Sequence, residues 1–200
     1  MTRVSLPPAH APAVSPAIFK AYDIRGIVAT ALTEEAVSAI GLALGARARA
    51  AGIREVVVGR DGRLSGPALA SALAAGLCAA GVDVIDIGMV PTPVVYFATV
   101  LTGCGTGVAV TGSHNPPEYN GLKMMLGGST LHGDDIRDQA ASIADPARYA
   151  ALFAPTPGQL RTRDVVPDYI QRIAGEVKLA RPLKVVVDAG NGVAGAVAPQ

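Results

Sequence analysis

The stretch Glu55-Val56-Val57-Val58-Gly59-Arg60-Asp61-Gly62-Arg63-Leu64-Ser65 passes from a β-branched block into a polar turn, and Gly66-Pro67 then opens an alanine-rich segment. Three consecutive valines bounded by glycine read as a short buried strand. Pro67 suits the first turn of a helix running from about Gly66 to Ala80. Strand, turn and helix in that order make the repeating unit of a layered α/β sheet. The unit recurs on both sides. Thr33 N-caps a helix reaching about Ala51, with Glu34 and Glu35 in its first turn, and Gly52 ends it. Val82 to Gly88 reads as the next strand, Thr92 to Thr102 as a helix opening on Pro93, and Gly107 to Val110 as a further strand. Gly121 to Met125 followed by Leu126-Gly127-Gly128 predicts an antiparallel strand and hairpin turn, and Asp134 to Ile143 a short helix. The expected fold class is therefore α/β, with a layered, mixed but mostly parallel sheet flanked by helices.

Beyond this block the text changes. From Asp145 to Pro157 it is rich in Pro, Ala and Thr; helical periodicity resumes over Val165 to Val177, and Lys184-Val185-Val186-Val187-Asp188 predicts another strand. The run Val185-Val186-Val187-Asp188-Ala189-Gly190-Asn191-Gly192 echoes Val56-Val57-Val58-Gly59-Arg60-Asp61-Gly62, a faint internal repeat that suggests a second, similar domain. We therefore expect a mobile leader over 1–17, a first domain over 18–157 and the incomplete start of a second over 158–200. The leader lacks a basic start followed by an apolar run, so it does not read as an export signal.

Composition narrows the function classes. Half of the 200 residues are apolar, only 16% are charged and the formal net charge is +1. That balance gives no field to attract nucleic acid or an anionic membrane, so neither is expected as a partner. Two cysteines, Cys78 and Cys104, stand far apart without metal-ligand spacing, which suits a reducing, cytoplasmic setting.

Chemistry concentrates in Thr111-Gly112-Ser113-His114-Asn115-Pro116-Pro117-Glu118-Tyr119-Asn120-Gly121-Leu122-Lys123. This loop follows the strand Gly107 to Val110, at an edge where open α/β folds bind ligands. Two prolines stiffen it, and Pro116 biases Asn115 to extended geometry. Serine is a weak nucleophile unless activated or offered a strongly polarised electrophile such as a phosphoryl group, which makes Ser113 a candidate phosphate acceptor. Gly112 is expected to let main-chain N–H groups approach phosphate oxygens. An isolated S-H-N-P is more often a plain proline turn. Adjacent side chains in an extended loop diverge, so a hydrolase-type Ser113–His114 dyad is not expected; His114 reads instead as a donor or proton shuttle. Lys123 is placed to return across the hairpin as a point charge or general acid, or to sit as a solvated strand lysine. In Phe19-Lys20-Ala21-Tyr22-Asp23-Ile24-Arg25-Gly26, Arg25 offers a planar fork oriented by Asp23, although such a cluster is also a common surface ion-pair turn. In the Arg60 to Ser65 turn, Ser65 reads as a helix cap and Asp61 as a structural partner for the arginines.

Taken together, F-K-A-Y-D-I-R-G, G-R-D-G-R-L-S and T-G-S-H-N-P-P-E-Y-N-G-L-K closely resemble the α-D-phosphohexomutases, in the bacterial phosphomannomutase/phosphoglucomutase branch, over Ile18 to Lys123. Phosphoglucosamine mutases, an alternative branch, typically open with F-G-T-D-G-I-R-G. The resemblance implies an isomerase in which Ser113 carries the phosphoryl group, gives it to a mannose or glucose 1- or 6-phosphate, and recovers it from the other end of a hexose 1,6-bisphosphate. It implies Tyr22 and Arg25 lining the site, Tyr22 and Lys123 at the substrate, His114 and Lys123 assisting proton and charge movement, and Mg²⁺ bound partly through the Ser113 phosphate. The family's D-G-D-x-D-R metal loop and later sugar-binding loops are not found, so the chain is expected to be a fragment with little turnover alone. A non-catalytic phosphate-binding or interaction module is the alternative.

Overall fold

The computed structural model describes residues 7–200. The strands are β1 (Ile24–Ile27), β2 (Glu55–Arg60), β3 (Asp83–Met89), β4 (Gly107–Val110), β5 (Tyr119–Leu126), β6 (Ser129–Thr130) and β7 (Leu160–Thr162). The α-helices are α1 (Glu34–Ala50), α2 (Gly66–Ala79), α3 (Thr92–Leu101), α4 (Asp134–Ala144), α5 (Pro146–Ala151) and α6 (Val166–Glu176). One sheet contains all seven strands in the order β1-β5-β4-β2-β3-β7, with β6 paired to β5. Three ladders are parallel (β2–β3, β2–β4, β3–β7) and three antiparallel (β1–β5, β4–β5, β5–β6).

The order places a reversal in the middle. From β2 the chain crosses through α2 to β3 on one side, then returns through α3 to β4 on the other. Connections of opposite sense leave a crevice beyond the carboxyl ends of β2 and β4, the usual ligand position in open α/β sheets. The two crossovers also populate opposite faces. Val56, Val58 and Val108 pack among the residues of α1, α2 and α4, whereas Val57, Ile85 and Ala109 pack with Val94, Val95 and Ala98 of α3. Alternation along β2 thus divides a three-layer molecule.

Helices α1 and α2 touch through small residues. A Cβ on Gly76 would overlap the Ser38 carbonyl oxygen and stand 2.6 Å from Leu42 N, and one on Gly45 would stand 2.7 Å from Ala80 Cβ. Thr33 caps α1 as expected, its hydroxyl accepting from Ala36 N at 3.1 Å. Across the same face Arg47 pairs with Asp135 of α4 and, through that bond, holds its carboxyl below the usual range. Burial pushes the Cys78 thiol up to about 11, consistent with a packing role in α2.

Several expectations are corrected. The first six residues of the expected leader lie outside the described residues; of the remainder, Pro7 is buried and Pro8 O accepts from Tyr149 Oη at 3.0 Å. The Pro/Ala-rich stretch contains α5, because Asp145 caps it through Ala147 N and Arg148 N. The sheet continues across the expected boundary at Gly158: β7 pairs with β3 from Leu160 onward. The strand expected at Lys184–Asp188 does not form. Val186 is 90% exposed, and no strand among the described residues pairs with it. A strand requires a neighbour for its main-chain groups, and none of the seven strands pairs with this run.

The close α1–α2 seam is testable. Gly76→Ala is expected to destabilise the fold by about 1–3 kcal/mol through overpacking. A urea midpoint equal to that of the unsubstituted protein would show that the two helices separate at little cost.

Candidate active site

The turn after β2 and the loop after β4 lie side by side because these strands pair in parallel, with Arg60 opposite Val110. Asp61 continues that contact, its N donating to Val110 O at 2.9 Å. The Asp61 carboxylate then holds both loops. Oδ2 accepts from Thr111 Oγ1 at 2.8 Å and Gly112 N at 3.1 Å, and Oδ1 accepts from Arg63 N at 3.0 Å. Asp61 is structural, as its sequence context suggests, but what it supports is the Ser113 loop.

Arg63 reaches over the same loop. Its Nη1 donates to Pro116 O (2.7 Å) and Tyr119 O (2.9 Å), and its Nη2 to Asn115 O (2.6 Å) and Ser113 O (3.2 Å). A side chain at position 112 would overlap this guanidinium, which gives Gly112 its physical reason. The expected anion cradle is corrected here. Gly112 N is taken by Asp61, Ser113 N by Thr111 Oγ1 (2.9 Å) and Asn115 N by Gly112 O (3.0 Å). In this loop, among the described residues, the main-chain N–H groups of His114 and Glu118 are left without a bond.

Ser113 itself has φ of +52°, a left-handed conformation uncommon for a residue with a side chain. It is exposed, and its Oγ stands 3.3 Å from His114 Nδ1. The divergence expected of neighbouring side chains is therefore corrected, because the left-handed turn replaces the extended backbone that would separate them. His114 has no carboxylate partner among the described residues, so the pair is not a hydrolase triad. Beside Ser113 opens a groove of about 710 Å³, lined by Asp61, Arg63, Ser65, Asn115 and Pro117, and by Asn191 and Gly192 from the far end of the chain.

Arg25 lies on β1, a strand concealed in sequence within the Tyr22–Gly26 cluster. Its Nη2 pairs with Asp23, its Nη1 donates to Gly112 O at 2.6 Å, and its Nε is buried without a partner among the described residues. The fork is turned toward the loop backbone. Lys123, on β5 opposite Ala109, reaches the same Asp23 carboxylate at 3.3 Å. Asp23 thus joins two cations behind the loop. Tyr22 is 75% exposed and forms no hydrogen bond among the described residues. Ser65 does not cap α2: its backbone is already helical (φ −75°, ψ −15°), and its hydroxyl accepts from Asn120 Nδ2 at 2.9 Å. Sequence reading missed Arg63 as a loop-holding residue. The available signal was the placement of R-D-G-R directly after a central strand, beside a second loop that follows a neighbouring strand.

A fold with its loops gathered at a strand-order reversal, and a serine presented there on a left-handed turn, is an α/β/α domain with a candidate nucleophile in its crevice. Residues 16–147 match the family model for phosphoglucomutase/phosphomannomutase, alpha/beta/alpha domain I, and the chain belongs to that family. It is 49% identical over 181 residues to a phosphoglucomutase of Neisseria meningitidis, covering 90% of this chain and 39% of the relative. It is 46% identical over 192 residues to a phosphomannomutase/phosphoglucomutase of Pseudomonas aeruginosa, covering 96% and 40%. A crystal structure of a phosphoglucomutase/phosphomannomutase family protein from Burkholderia thailandensis superposes with a TM-score of 0.86 at 51% identity, covering 94% of this chain and 42% of that one. The chain thus spans about two fifths of the length of the relatives it matches.

The left-handed conformation of Ser113 carries a measurable cost. Ser113→Gly removes the Cβ penalty and is expected to raise stability by about 1 kcal/mol while abolishing any chemistry of the hydroxyl. Thermal unfolding of the Gly variant at or below the unsubstituted midpoint would show that the turn is not strained.

Proposed function

We propose that this chain supplies the phosphoryl-carrying domain of a phosphomannomutase/phosphoglucomutase, which moves phosphate between O1 and O6 of a hexose phosphate. The observation that carries the reading is a single hydroxyl, Ser113 Oγ, exposed on a left-handed turn beside the groove at the strand-order reversal. Transfer out breaks the bond from phosphorus to Ser113 Oγ and forms one to a sugar hydroxyl oxygen. That hydroxyl gives up its proton, and Oγ ends protonated. Transfer back from the 1,6-bisphosphate reverses each change at the other end of the sugar. His114 Nδ1, at 3.3 Å, holds or delivers the proton at Oγ. Arg25 and Lys123, sharing Asp23, supply positive charge behind the loop and oppose the charge on the transferred group. Tyr22 is assigned to the substrate, along with Lys123.

Mg²⁺ is the ion expected with such chemistry, and Ser113, through its phosphate, is the residue assigned to it. The other residues present do not fit as its cage. Asp61 is committed to Thr111, Gly112 and Arg63, Asp23 to Arg25 and Lys123, and no group of three or more His, Cys, Asp or Glu among the described residues is arranged to hold a metal. Hexose phosphates are the proposed partners. The net charge of +1 favours neither nucleic acid nor anionic membrane, and no helix among the described residues is long and apolar enough to cross a bilayer. Two free cysteines favour the reducing conditions of the cytoplasm.

Incubation with glucose 1,6-bisphosphate followed by intact mass analysis tests the reading. One added phosphoryl group is expected, mapping to Ser113 and absent from Ser113→Ala. Label at another residue, or equal label in the alanine variant, would remove Ser113 as carrier.

A further inference from the structure

We propose that Arg63 is a positioning residue for the carrier serine, setting the peptide plane on its carboxyl side so that the hydroxyl faces the groove; this rests on the phosphoryl-carrier reading of Ser113. The φ and ψ of a residue are the angles between its own Cα and the two flanking peptide planes, so clamping both planes determines both angles. The plane before Ser113 is held at each end: Ser113 N donates to Thr111 Oγ1, and Gly112 O accepts from Arg25 Nη1 and from Asn115 N and Nδ2. The plane after Ser113 has one hydrogen bond among the described residues, from Arg63 Nη2 to Ser113 O. His114 N, at its other end, makes none. The Asn115 N bond to Gly112 O closes the four-residue turn across Ser113 and His114, and Arg63 adds the direct bond on the second plane that completes the constraint keeping Ser113 at φ +52°.

The same guanidinium holds three more carbonyls of the loop, at Asn115, Pro116 and Tyr119. Four acceptors distributed around one turn need a planar, many-donor group; an ammonium concentrates its three donors at a single point. Arg63 is in turn oriented by Asp61, 3.5 Å from its Nε, and by the bare Gly112 it crosses. Its donors are directed at carbonyl oxygens rather than into the groove. Arg63 thus acts through Ser113 and is not itself assigned to the substrate.

Arg63→Lys and Arg63→Gln test this in the intact chain by two independent measurements. The first is the rate of Ser113 phosphorylation by glucose 1,6-bisphosphate across a range of concentrations. Misplacement of a reacting atom by about 1 Å costs on the order of 100-fold, so the maximal rate is expected to fall about 10- to 100-fold in each variant. The half-saturating concentration should stay within about threefold, since ground-state binding is not its role. The second is the set of scalar couplings of Ser113 that report positive φ, measured by NMR without any donor; these are expected to disappear. A raised half-saturating concentration with the rate kept would make Arg63 a binding residue and overturn the proposal. So would wild-type rates, retained positive-φ couplings, or loss of cooperative unfolding in both variants, the last marking a purely structural residue. If the unsubstituted chain takes no phosphate at Ser113, the carrier reading fails, and the couplings still decide whether Arg63 sets the turn.

Discussion

The parallel pairing of β2 with β4 is the constraint on which the molecule turns. Because Arg60 lies opposite Val110, the residues that follow each strand leave the sheet at the same level and within reach of one another. The Asp61 carboxylate can then bond Thr111 and Gly112 without a long side chain, and the arm of Arg63 can span the whole of the next loop. Had the chain visited its strands in sequence order, β3 would have stood between these loops. The return through α3 is what removes it. Local geometry at the serine is in this sense a product of topology: the loop is braced by a turn fifty residues earlier in sequence, not by its own prolines alone.

Charge is handled in the same economical way. Asp23 and Asp61, with the three cations Arg25, Arg63 and Lys123, are largely spent on one another or on main-chain groups. Asp23 accepts from Arg25 and Lys123; Asp61 accepts from backbone and from Arg63. Half-buried pairs of this kind are little screened and fix geometry more than they add stability. What remains uncommitted among the described residues is small: one serine hydroxyl beside one imidazole, the Arg25 Nε, the Glu118 side chain, and the main-chain N–H groups of His114 and Glu118. A site prepared to hold a highly charged group can be largely neutralised before that group arrives, leaving reorganisation to a few atoms.

Much of this was legible in the sequence, for reasons that can be named. The valine block of β2, the Thr33 cap and the Gly127-Gly128 turn each carry strong local signals, and the elements they predict form close to the expected residues. Strand β1 carries almost none: Ile24-Arg25-Gly26-Ile27 alternates over only four positions, and its conformation depends on β5, nearly a hundred residues away. The same dependence explains the opposite error at Val185-Val186-Val187, where strong β propensity finds no partner. At the site, residue identities singled out Ser113 as a candidate, but did not reveal how Arg25 is spent. Its fork is expected to line the site; one donor meets a carbonyl that no periodicity reveals. Ser65 was likewise given to its nearest helix and is instead claimed by Asn120.

Strand β7 occupies the last place on the β3 edge, and its direction has a consequence for everything beyond it. Being parallel to β3, it must discharge the chain at the same rim of the sheet as β2 and β4. A strand running the other way would have sent residues 163–200 to the opposite pole. As built, the three residues from Leu160 to Thr162 act as a signpost: they steer the outgoing polypeptide toward the serine, and Asn191 and Gly192 duly arrive in the wall of its groove. A ladder only three residues long thereby decides which side of the molecule the later chain can help to enclose.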